Sequence, residues 1–232
     1  MVNIKVYSTY QELCRSAFQQ VVSSVKRNSG ALICVATGES PIGLYQFFPE
    51  QSELFKHIKI LKLDEWGGIQ PDDPSTCETY IKENIIQPLK LDENQLMGFQ
   101  SDAKNTENEC NRIKSLIQQH NGIDSCILGM GADGHIGLNF PADTIIPDAH
   151  VVPSHYLTHS MLDKAREKPT HGYTLGFKEI LNSKEIILIV KGASKREALR
   201  LLNKGEITTH FPASLLLLSQ NCTIYCDKDA YE

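Results

Sequence analysis

"ALICVATGESPIG", residues 31–43, decides the fold. Its first six residues are apolar throughout instead of alternating, and so, after Glu185, is "EIILIV", residues 185–190. A strand wetted on one face alternates apolar and polar side chains, whereas a strand covered on both faces reads as a continuous apolar run. After residue 36 come a glycine turn and Pro41, which suits the first turn of a helix. Buried strand, glycine turn and helix make half of a βαβ unit, and the arrangement recurs along the chain. Strands are predicted at residues 4–8, 31–36, 58–63, 125–128, 173–176, 185–190 and 223–226. Helices are predicted at 10–27, 41–48, 76–86, 107–120 and 195–203, the third announced by the capping-box pair Ser75 and Glu78. The expected class is α/β: a doubly wound, mostly parallel, Rossmann-like sheet with helices on both faces. No repeat, low-complexity tract or linker divides residues 1–232, so a single domain is expected.

A chain of 232 residues can bury one substantial core. The net charge of −5, with no sustained Lys/Arg run, argues against a nucleic-acid partner. No apolar run, the leucine-rich stretch 213–219 included, is long enough to span a bilayer, and the start "MVNIKVYSTY" alternates like a strand and lacks the apolar core of a signal peptide. Seven cysteines are scattered without a C-x-x-C pair, which points to a reducing, cytoplasmic compartment and away from zinc. None reads as catalytic. Cys34 and Cys126 fall in apolar runs as small buried hydrophobes, and Cys222 and Cys226 share one strand face.

Ligands in such folds bind beyond the carboxyl ends of the strands, so the residues just after each strand matter most. After the second strand, Thr37, Gly38 and Ser40 offer backbone N–H groups and hydroxyls to an anion such as phosphate; the plainer reading is a strand–helix turn capped by Ser40. Glu39 fits an anion site only if it points away. After the third, Asp64 and Glu65 end an apolar run beside Trp66. Apolar walls raise a carboxyl pKa towards neutrality, as proton abstraction requires, and adjacent residues face opposite ways, so at most one enters a pocket. The plainer reading there is a solvated acidic turn. After the fourth comes "ILGMGADGHIGLNFPAD", residues 127–143, with glycines at 129, 131 and 134. A dinucleotide loop would belong to the first βα unit and be followed by an acid about twenty residues on, and a metal site would need further ligands near His135. Asp133 beside His135 remains, an arrangement that orients an imidazole for acid–base work. Lys195, after "EIILIVKGAS", adds a cation for phosphate or is a solvated helix lysine. His150, His155, His159 and His171 read as structural or exposed.

In order, "ATGESPIGLY", "KLDEWGG", "STCETYI", "LGMGADGHIGLN", "YTLGFKEIL", "VKGASKREAL" and "FPASLLLL" resemble the glucosamine-6-phosphate deaminase and 6-phosphogluconolactonase superfamily, from about residue 5 to 227. "LDEW", "TCETY" and "GHIGLN" look most like the galactosamine-6-phosphate isomerases (deaminating). The resemblance implies that Asp64 shuttles a proton between C2 and C1 of the opened sugar, that His135 opens the ring, and that Asp133 orients His135. It implies phosphate binding by Thr37, Gly38, Ser40 and Lys195, with Glu65, Gly131 and Asn139 completing the sugar site. It further implies a small sugar phosphate as the partner and no metal or organic cofactor, and it leaves assembly into a homo-oligomer open. Two departures stand out. Deaminases of this kind carry Glu just after the position of Asn139, and here Phe140 and Pro141 follow it, closer to the lactonase pattern; one charge that would stabilise an imidazolium at His135 is thereby lost. The chain also ends soon after its last strand, so no regulatory tail is expected. The reading is isomerisation with deamination of a hexosamine 6-phosphate, the galactosamine epimer favoured. The alternatives are hydrolysis of a sugar-phosphate lactone and a catalytically silent sugar-phosphate sensor.

Overall fold

Ten strands form among the described residues, 3–232, of the computed structural model: β1 (Asn3–Tyr7), β2 (Leu32–Val35), β3 (Lys59–Lys62), β4 (Asp64–Gly67), β5 (Leu96–Met97), β6 (Ser125–Gly129), β7 (His150–Pro153), β8 (His171–Thr174), β9 (Glu185–Val190) and β10 (Cys222–Asp227). Met1 and Val2, which open the alternating N-terminal run, lie outside the described residues. The apolar strands behave as two-sided burial demands. In β2, Leu32 and Cys34 join one apolar cluster while Ile33 and Val35 join another. In β9, Ile186, Leu188 and Val190 take the first side, and Ile187 and Ile189 the second. Helix Thr106–Gln119 covers the first side with Ile113 and Ile117, and helix Tyr10–Arg27 covers the second with Leu13, Phe18 and Val21. Each such side chain contributes roughly 1.5–3 kcal/mol by leaving water, more than the ~1 kcal/mol net of one ladder hydrogen bond. The apolar pattern therefore selects the central strands.

Seven strands form one parallel sheet in the order β1-β10-β9-β6-β2-β3-β5. From β2 the chain moves outward to β3 and β5, then returns to β6 on the other side of β2 and moves outward again to β9 and β10. The direction of winding reverses between β2 and β6, which pair through Ile33↔Ser125 and Val35↔Ile127. A crevice opens at such a reversal because the loops leaving the two strands diverge to opposite faces.

The remaining strands correct one expectation. Residues 173–176 do not add to the parallel sheet; β8 is the centre of a separate antiparallel sheet, β4-β8-β7. Leu63 is the corner. Its N–H donates to Val35 in the large sheet, and its carbonyl accepts from Leu175, just beyond β8. Asp64 is thus the first residue of a new strand, where a strand end in a solvated turn was one expectation. The helical expectations shift as well. Helix Cys77–Ile81 is capped by Thr76, whose side chain accepts from the Thr79 N–H; Ser75 instead donates to Asp73, and Glu78 forms ion pairs. That helix continues as a π-helical segment, Lys82–Ile86. The helix expected at 41–48 is only Ile42–Tyr45, and Ser40 does not cap it. No helix among the described residues is long and apolar enough to cross a membrane.

Candidate active site

A cavity of about 490 Å³ opens where β2 and β6 part, and loops following β2, β3, β6 and β9 supply its walls. Each wall follows from local chemistry. After β2 the chain turns through Gly38, whose φ of +94° favours glycine, and runs through Thr37, Glu39 and Ser40 along the cavity. Two tyrosines fix this turn from behind: the Tyr80 hydroxyl donates to the Gly38 carbonyl (2.7 Å), and the Tyr10 hydroxyl donates to that of Ser40 (2.7 Å). Glu39 is turned to solvent, 93% exposed, with Lys191 at 4.0 Å.

At the corner after β3 the two adjacent carboxylates part, as strand geometry requires. Asp64 lines the cavity. Glu65 points the other way and is fully buried, so its expected place in the sugar site is wrong. Its Oε1 accepts from the N–H groups of Trp66 and Cys77, and its Oε2 from the Glu78 N–H and the Lys62 ammonium (2.9 Å). Lys62, 2% exposed, also bonds Glu78. Its burial would lower the lysine pKa, but Glu65 and Glu78 outweigh it, so the ammonium is held above its usual range. Glu65 therefore ties the start of helix Cys77–Ile81 to the corner that presents Asp64. The Asp64 pKa is raised to about 7, first by burial and then by the charge of Glu65, against a hydrogen bond from the Cys77 thiol (3.7 Å) and the charge of Lys62.

After β6 the chain folds back tightly, the Gly134 N–H donating to the Gly131 carbonyl and the Gly131 N–H to that of His135. Asp133 Oδ1 lies 2.6 Å from His135 Nδ1 and accepts from the His135 backbone N–H at 3.1 Å. The carboxylate places the ring proton on Nδ1 and leaves Nε2 free to exchange protons. A side chain on Gly131 would overlap both Asp133 and the ring, so glycine there makes room for the pair. Gly131 lines the cavity; Asn139 does not, and its expected sugar contact is corrected. Buried to 3%, its amide donates to the carbonyls of Ile136 and Leu175, tying the loop to the small sheet. No second carboxylate pairs with His135 among the described residues. Phe140 packs there instead, its ring 5.0 Å from the imidazole and stacked on Tyr156.

Lys195 lines the cavity after β9, its pKa lowered by partial burial against the attraction of Asp133. Lys191 and Ser194 join it, and the strand-end rule would have found both. His159, read as structural or exposed, also lines the cavity. It belongs to a segment of short 3-10 turns with no periodic pattern to place it.

Residues 7–225 match the family described as glucosamine-6-phosphate isomerases/6-phosphogluconolactonase. The chain is 37% identical over 218 residues to the Escherichia coli (strain K12) protein named "Putative deaminase AgaI", covering 91% of this chain and 86% of that one. It is 32% identical to the glucosamine-6-phosphate deaminase of Bacillus pumilus (strain SAFR-032), covering 99% and 98%. Among solved structures it resembles a monomeric glucosamine-6-phosphate deaminase with a TM-score of 0.87 at 30% identity, covering 99% and 98%. The chain therefore belongs to the glucosamine-6-phosphate isomerase/6-phosphogluconolactonase family.

Proposed function

We propose that this protein isomerises and deaminates a hexosamine 6-phosphate, with galactosamine 6-phosphate as the preferred epimer and glucosamine 6-phosphate as the lesser one. The observation that carries the reading is that Asp64, the Asp133–His135 pair, the Thr37–Ser40 turn and Lys195 line one cavity. The epimer preference rests on "LDEW", "TCETY" and "GHIGLN".

Each group has one task. The turn after β2 and Lys195 hold the phosphate. His135, with Nε2 free, takes the proton that the anomeric hydroxyl gives up and passes it to the ring oxygen as the bond from C1 breaks, so the ring opens without a net change in protons. Asp64 then takes the proton from C2 while O1 is protonated, leaving an enol with the amine on C2. Returning that proton to C1 yields an iminium at C2. Water adds there and ammonium departs, so amino sugar phosphate plus water gives ketose phosphate plus ammonium. A carboxyl with a pKa of about 7 suits both halves of the shuttle, since it gains and loses a proton at little cost near neutral pH.

Supplying both hexosamine 6-phosphates in parallel and measuring ammonium tests the reading. Faster release from the galactosamine epimer is expected, and no release from either defeats it. Phe140 beside His135 favours a second reading, in which His135 activates water against a sugar-phosphate lactone. Loss of lactone without ammonium release would select it.

A further inference from the structure

We propose that His159 is a substrate-binding residue whose Nε2–H donates to the phosphate held at the Thr37–Ser40 turn. The proposal rests on the phosphosugar reading of the cavity. His159 stands at the start of the 3-10 turn Ser160–Lys164, and its Nδ1 accepts the Met161 N–H at 3.1 Å. A ring nitrogen that accepts from an amide carries no proton, so the neutral ring bears its hydrogen on Nε2. That edge looks towards the turn after β2, since a methyl group built on Gly38 would lie 3.8 Å from Nε2. Trp66 packs near the ring, with centroids 6.1 Å apart. Burial, and then the nearby charge of His135, lower the His159 pKa against a weaker pull from Glu39, so the ring is a neutral donor at pH 7. A phosphate monoester offers mainly acceptors at that pH. Lys195 supplies charge without fixed direction, whereas an imidazole locked in one tautomer supplies a directed hydrogen bond.

The capping bond gives a way to separate binding from structure. His159→Asn keeps a side chain that caps the 3-10 turn well but is too short to reach the turn after β2. His159→Gln places an amide N–H near the position of Nε2. Inorganic phosphate, read through its protection against thermal unfolding, probes the contact without turnover. His159→Asn is expected to weaken phosphate about tenfold, and to raise KM for the phosphosugar more than it lowers kcat. His159→Gln is expected to return phosphate binding to within about threefold of wild type, as a restored neutral donor should. Lys195→Ala marks the site in the same assay. If it loses phosphate while His159→Asn binds like wild type, His159 is only a cap and the proposal is overturned, with the phosphosugar reading intact. Equal losses in the Asn and Gln variants would also overturn the donor assignment. If phosphate protects not even the wild type, the phosphosugar reading falls first and this proposal with it.

Discussion

The aspartate at the corner after β3 and the aspartate on the glycine loop after β6 line the same cavity but are built by different means. Asp64 is nearly buried, and its neighbours Glu65, Lys62, Glu78 and Cys77 form a network reaching from the large sheet into helix Cys77–Ile81. Asp133 is half exposed, and every bond it makes to His135 lies within two residues of itself. The first arrangement sets a charge state, because only burial and a neighbouring like charge move a carboxyl this far. The second sets an orientation, which a short loop can do without burying anything. Chemistry that takes a proton off carbon needs the first, and a proton relay to oxygen needs the second.

The sharpest way to break this contrast is Asp64→Asn, expected to lower turnover about 10³-fold or more, the upper range for a general base. The same change should stabilise the fold. The folded carboxyl keeps its proton up to about pH 7, while the unfolded one releases it near pH 4, so the folded state holds the extra proton between these values. That contribution is full below pH 4 and is lost as the pH rises through 7. Denaturation at pH 8 should show the variant more stable by on the order of 2–4 kcal/mol, with little difference at pH 4. An unchanged stability at both pH values would mean that the corner does not set the charge of Asp64.

Next in size is Glu65→Gln. The amide can still accept from Trp66 and Cys77, but its NH₂ then faces the Glu78 N–H and the Lys62 ammonium, donor against donor. Breaking a buried pair by one partner costs about 3–5 kcal/mol, measurable by urea unfolding. In the surviving folded protein the acidic limb of kcat/KM should move to lower pH, because a charge that raises the Asp64 pKa is gone. Asp133→Asn is expected to do the reverse: a loss of about 10²-fold or more in turnover, the lower range for general acid–base catalysis, with stability changed by less than ~1 kcal/mol at so exposed a site. Large destabilisation by Asp133→Asn would erase the distinction between the two walls.

The same difference explains what could be read before the fold was known. Asp133 and His135 are local: strand, glycines and spacing lie in one stretch, and the structure pairs them. Alternation alone made one of Asp64 and Glu65 enter the pocket, and the structure admits Asp64. What turned Glu65 away from the sugar is Lys62 beneath it and a helix that starts twelve residues later, partners no local pattern announces. β8 was legible as a strand but not as part of a second sheet, since its partner β4 is distant in sequence and its other partner, β7, was not among the expected strands. Asn139 reads as a sugar ligand until its amide is seen bonded to Leu175. His159 was the hardest, because capping bonds and 3-10 turns leave no period to detect.

The smallest effect offers the finest test. Cys77 is buried, and burial, then Glu65 and Asp64, hold its thiol well above its usual pKa, so it stays an S–H donor throughout the working range. Thr37 lies 3.9 Å from the sulfur, on the side of the turn after β2, which makes Cys77 a bridge between that turn and Asp64. A weak donor to a carboxylate favours its ionised form, so Cys77→Ala should move the acidic limb of kcat/KM up from about pH 7, by roughly half a unit for a weak donor. Cys77→Ser, with a stronger donor in nearly the same place, should move it down. The two shifts must have opposite signs. A simple packing defect would lower activity equally in both variants and leave the limb where it was, and the thiol would then have no part in setting the charge of Asp64.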